Sequence, residues 1–186
     1  MSVLDINVLK QMLNIDLDDT SKDSYLDFIL STSEKIVENY TECKLTPINI
    51  NNEIYLGNNS RFLWLKSIPV NSIIKVEISP FGNGLYVNDI SSYIEILNSQ
   101  TGKIFNSYSL FNAGTKYIIS YNAGFNEIPD DLKFAIYQIA VRLDSLTEES
   151  KVGASKITTP DGTVVYEKTL LSPEIKEILD RYSRKL

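Results

Sequence analysis

The sequence predicts an α+β fold, a helical core of long antiparallel helices with an inserted antiparallel β-sheet segment and a C-terminal helix. Three observations predict it. Apolar residues recur at helical spacing in residues 20–45 and again in residues 130–148. Between these stretches the pattern changes to the alternation of half-buried strands, broken by turn residues. Beyond residue 150 come a hairpin signal and one short amphipathic stretch. The predicted organisation is a helical core from residues 1–47 and 123–150, an inserted β-segment over 48–122, and a tail over 151–186 that holds a hairpin or loop and the last helix.

In chain order, Leu4, Val8, Leu9, Met12 and Leu13 predict a short first helix, joined by the acidic turn IDLDD to a long second one. The second helix presents Leu26, Ile29, Leu30, Ile36, Val37 and Tyr40 on one face. Thr20 and Asp23 resemble a capping box at its start, and Pro47 is a stop signal past its end. In the β-segment, Ile74, Val76 and Ile78 alternate with Lys75 and Glu77, and EIYLG, RFLWLK, YIEILN and KYIISY are similarly strand-like. The turn residues between them, including Gly82-Asn83-Gly84, predict a meander of five or six strands.

The segment YNAGFNEIPDDL turns a strand into a helix. Gly124 permits the bend, Pro129 suits a helix start, and Asp130 and Asp131 complement the positive end of the helix dipole. Leu132, Ile136, Ile139, Ala140, Leu143 and Leu146 continue one apolar face to about residue 148. Pro160-Asp161-Gly162 between two β-branched runs predicts a hairpin. Ser172 as N-cap and Pro173 open a final helix whose apolar side is Ile175, Ile178, Leu179 and Tyr182, with Glu177 able to pair with Arg181. A helix this short is marginal alone, so it must pack on its own chain or on a neighbour.

Composition excludes several chemistries. The 186 residues contain no histidine and one cysteine, so the usual base for a serine or cysteine nucleophile is lacking and a four-ligand zinc site is implausible. Asp16, Asp18 and Asp19 lack the glycine and distal glutamate of a calcium-binding helix-loop-helix, which leaves helix-start capping as their reading. No apolar run approaches the roughly eighteen residues of a membrane span, and the first ten residues carry no secretory leader pattern. Neither catalytic nor metal nor cofactor residues are predicted. Acid is concentrated in the predicted helices: residues 1–47 carry nine acids against four bases and residues 123–150 carry six against two. Such a surface disfavours DNA gripping, which depends on Lys and Arg displacing counterions. The residues themselves leave open an assembly part, a carbohydrate-binding module using the aromatic β-segment, and, last, a carboxylate enzyme.

The order of the pieces resembles the head–tail connector (adaptor) proteins of tailed bacteriophages and related prophage-derived particles. The resemblance rests on Tyr121, Gly124 and Pro129 to Leu132 entering the second long helix, and on Gly153 to Tyr166 ahead of the Leu-Ser-Pro helix. It implies a structural protein of the virion neck, assembled in the host cytoplasm, whose copies form a ring, typically dodecameric, beneath the portal. It also implies two further partners, the portal protein and the next neck or tail-completion protein, with DNA passing through the ring unbound. On this resemblance Ile175, Ile178, Leu179, Arg181 and Tyr182 of the last helix are assigned to portal docking. A different tail-completion or neck protein is the alternative within the same class.

Overall fold

The computed structural model describes residues 2–79, 88–148, 156–159, 162–165 and 170–184. Its elements run α1 (Ile6–Met12), α2 (Asp23–Thr41), β1 (Ile48–Leu56), β2 (Phe62–Trp64), β3 (Val70–Ser79), β4 (Asn88–Asp89), β5 (Ile94–Asn98), β6 (Lys103–Asn106), β7 (Lys116–Ala123), α3 (Asp130–Glu148), β8 (Lys156–Thr159), β9 (Gly162–Val165) and α4 (Pro173–Tyr182). Helices and antiparallel sheets make the fold α+β. The chain divides into a helical unit, residues 1–40 and 129–181, and a sheet unit, residues 41–128 and 182–186.

In the helical unit, α1 starts where the Asp5 carboxylate accepts the Asn7 N–H at 2.9 Å, and it buries Leu9 and Lys10. The apolar face of α2 buries Leu26, Ile29, Leu30 and Val37, while Ile36 and Tyr40 stay half-buried. The helix begins at Asp23, so Thr20 lies ahead of it instead of capping it, and the Asp23 carboxylate is engaged by Lys10 at 2.6 Å. It ends at Thr41, ahead of Pro47, where Glu42 takes a left-handed conformation (φ 60°). Cys43 therefore lies beyond the helix and bridges to Ile68. In α3 the buried side is Leu132, Ile136, Ile139 and Ala140, with Ala135 and Tyr137 beside them. The N-terminal segment is fastened to α2: Val3 and Leu4 N–H groups donate to one Glu34 oxygen at 2.7 and 2.9 Å, and Ser2 N–H donates to Asp27 at 2.9 Å.

The sheet unit is not a meander. Its larger sheet has the order β1-β7-β3-β4 and its smaller one β2-β6-β5, so the first strand pairs with the last and β2 leaves for another sheet. The burial of β7 explains this. Tyr117, Ile119, Ser120, Tyr121 and Ala123 are all buried, which suits a strand flanked on both edges better than one at the end of a meander. Register places Ile54, Ile118 and Glu77 abreast, and Tyr55, Tyr117 and Ile78 abreast. The bend after β7 requires its glycine: Gly124 has φ +121°, and a Cβ there would stand 2.0 Å from the Thr46 carbonyl oxygen. β8 and β9 pair antiparallel as a hairpin. The predicted turns at Gly82-Asn83-Gly84 and Pro160-Asp161 lie outside the described residues, as do Gly153 to Ser155 and Tyr166.

Candidate functional site

Helix α4 is built as its sequence suggests. The Ser172 hydroxyl accepts the Ile175 N–H at 3.4 Å and its carbonyl accepts the Lys176 N–H at 2.9 Å, so Ser172 is the N-cap. Beside it the Glu174 carboxyl is held below the usual glutamate value, first by its own backbone N–H and then by Ser172. The apolar side divides in two. Ile175 and Leu179 are buried within the chain, whereas Ile178 and Tyr182 are half-buried. Arg181 is 60% exposed and sits 3.6 Å from Glu177 and 3.8 Å from Asp131. Asp180 accepts the Tyr40 hydroxyl proton at 2.7 Å. An open cleft of about 530 Å³ runs between α3 and the start of α4, lined by Phe134, Gln138, Val141, Arg142, Ser172 and Ile175 among others.

From Tyr182 on, the chain belongs to the sheet unit. Tyr182 packs edge-on against Phe125 at 5.9 Å, and its carbonyl lies 3.4 Å from the Cys43 thiol. The Arg184 guanidinium donates to the carbonyls of Leu65 and Lys66 at 2.5 and 3.1 Å. Ile175 and Leu179 are covered by their own chain before any partner arrives.

Other polar groups serve packing. Burial pushes the Cys43 thiol up to about 11, which leaves it protonated and a poor nucleophile at neutral pH. Tyr55 and Tyr121 each accept a backbone N–H, from Lys66 at 2.8 Å and from Ser67 at 3.1 Å, and both donate to Glu53. Burial raises both phenols, so they stay neutral donors. Among the described residues no three His, Cys, Asp or Glu side chains are grouped to hold a metal ion; the Asp16 carboxylate accepts the Asp18 N–H and the Asp19 carboxylate the Ser21 N–H. No described helix is long and apolar enough to cross a membrane.

Two features were not anticipated. Lys10 is 2% exposed, yet its position in α1 reads as an ordinary polar one, and only its contacts reveal its role. The outer face of the smaller sheet collects Phe62, Trp64, Lys103 and Phe105, which two strands about forty residues apart bring together. RFLWLK and GKIF carry the alternation, but not the pairing.

The chain belongs to the head completion protein family, whose description matches residues 2–185. Its fold is similar to chains in gene transfer agent (GTA) particles. One is in the virion of a native GTA particle, at 14% identity and TM-score 0.65, covering 98% of this chain and 90% of that one. Another is in the neck of an empty GTA particle computed with C6 symmetry, at 14% identity and TM-score 0.62 with the same coverage. A third is in the neck of a native GTA particle computed with C12 symmetry, at 15% identity and TM-score 0.57, covering 100% and 94%. Comparison with curated proteins finds no match. The resemblance drawn from the sequence agrees with this family, and the chain is a head completion protein by family.

Proposed function

We propose that the protein is a head–tail connector: copies close into a ring in the virion neck, between the portal and the next tail-side protein, and leave a passage for DNA. The observation that carries the proposal is the family match over residues 2–185, supported by a full-length fold likeness to neck chains of symmetric particles. A ring requires two unlike complementary surfaces on each subunit, and the two units differ in charge sign as such surfaces should. The helical unit carries eighteen acids against ten bases, the sheet unit six against eight. DNA passage without binding suits a subunit whose acid outweighs its base. No catalytic step is part of this function.

Portal docking is assigned to α4, with a division of labour that its burial suggests. Ile175 and Leu179 hold the helix in place, while Ile178, Arg181 and Tyr182 meet the portal from their accessible sides. Deleting residues 171–186 is a poor test, since it also removes Leu179 from the core and Arg184 from the Leu65 and Lys66 carbonyls. Arg181→Glu is the cleaner variant. It should fold normally yet bind the isolated portal at least tenfold more weakly, an expectation set by the 2 kcal/mol scale of interface hot spots, which is more than a factor of ten. Electron cryomicroscopy of assembled particles decides the function itself. Density for this chain as a closed ring between portal and tail supports the proposal, and any other location overturns it.

A further inference from the structure

The aromatic face of the smaller sheet is only half-buried. Register pairs Phe62 with Phe105, Trp64 with Lys103, and Phe105 with Glu95, and residues opposite one another on antiparallel strands share a face. The alternate residues Leu63 and Ile104 are buried, so the aromatic set points away from the core. The Lys103 ammonium lies 4.3 Å from the Phe62 ring centre and 5.5 Å from that of Trp64, and Phe62 and Phe105 are 5.5 Å apart. Trp64 is the chain's one tryptophan. Aromatic residues of this kind dominate the cores of protein interfaces. A lone ammonium seated over two rings does not form the track of cations that a DNA backbone needs.

The helical unit carries a shape and charge that match. Asp16, Leu17, Asp18 and Asp19 follow α1, and all four are exposed, Leu17 at 46%. The loop is held rigid from beneath. Lys10 donates to the Leu17 carbonyl at 3.3 Å and the Asp19 carbonyl at 2.9 Å, and pairs with Asp23 at 2.6 Å. Burying an ammonium is costly unless it is fully engaged, and this one is engaged in fixing the loop. The result is a preorganised projection, apolar at one residue and acidic around it, which limits the ordering cost of binding.

We infer that the Phe62, Trp64, Lys103 and Phe105 face of one copy receives the Asp16–Asp19 loop of a neighbouring copy. Leu17 meets the rings, and the carboxylates surround Lys103 and the exposed Arg61 at the start of β2. Glu95, the carboxylate on the β5 side of this face, repels the loop and sets it toward β2 and β6. Each contact joins the sheet unit of one copy to the helical unit of another, a heterologous pairing of the kind a closed ring repeats. The inference rests on the ring reading above.

The test is photo-crosslinking in assembled particles, with p-benzoylphenylalanine at position 62 and, separately, at position 17. Position 17 is exposed, so that probe keeps the experiment decisive if the position-62 variant fails to fold. The expected product is a covalent dimer of this chain, in which probe 17 is joined to the peptide containing Phe62 to Trp64 and probe 62 to the peptide containing Leu17. An adduct with another protein or with DNA, or no adduct from probe 17, overturns the inference. A lysine-reactive crosslinker on the same particles separates the two levels. A ladder of self-multimers without the 17–62 adduct sinks only this contact, whereas the absence of any ladder sinks the ring.

Discussion

The two units solve the same problem, a polar group inside a core, in opposite ways. The helical unit buries charge: Lys10 is ion-paired beneath its loop, and Glu34 is pinned by two backbone N–H groups. The sheet unit buries neutral hydroxyls, with Tyr55 and Tyr121 each linking a backbone N–H to the Glu53 carboxylate. Ion-based fastening gives strong, directional anchoring of short segments but responds to protonation. Phenolic fastening, which through Tyr121 ties together residues more than fifty positions apart, has its hydroxyls raised by burial and ignores pH across the neutral range. The acid-rich unit should therefore be the pH-sensitive half of the molecule and the sheet unit the insensitive one.

The largest break in that comparison should come from Lys10→Met. Removing the ammonium takes the donor from two loop carbonyls and from the partly exposed Asp23 carboxylate, and at roughly 1 kcal/mol for each of the three contacts the loss is about 3 kcal/mol. Urea unfolding should show the loss, and hydrogen exchange should place the opening in the loop after α1. Tyr121→Phe comes next. It leaves the Ser67 N–H without its acceptor and takes from Glu53 Oε2 one of its two hydroxyl donors, Tyr55 remaining, at about 2 kcal/mol, with no change in the pH profile.

Glu34 sharpens the contrast in pH dependence. Its carboxyl is raised above the usual 4.5, chiefly by desolvation, against the opposing hydrogen bonds from Leu4 and Val3. Between 4.5 and the raised value the folded chain holds a proton that the unfolded chain has lost, so this group's contribution to stability falls as pH rises through that window. Glu34→Gln should flatten that slope in urea midpoints measured from acid to neutral pH, and an unchanged slope would assign it to another group. The smallest effect is expected from Ser172→Ala. The capping bond is long at 3.4 Å, so about 0.5 kcal/mol is lost, read as extra fraying of α4 by hydrogen exchange.

Much of the helical architecture was legible because it is local. Spacing alone marked the faces of α2 and α3, Ser172 and Pro173 marked the start of α4, and the glycine and proline of the β7–α3 corner marked its bend. The candidate site was half legible. Ile175, Ile178, Leu179 and Tyr182 do lie on one helix, but periodicity identifies an apolar side without saying what covers it. The capping box at Thr20 failed because Lys10, from another element, claims Asp23.

The sequence by itself determined which segments are helix or strand, where several of them start and bend, and how charge divides between the parts, since each depends on residues within a turn or two of one another. Tertiary structure alone decided that β7 lies between β1 and β3, that Lys10 sits inside, and that Phe62, Trp64, Lys103 and Phe105 share a face. Strand order, register and burial come from pairing distant segments, and the free energy of that pairing belongs to no local pattern.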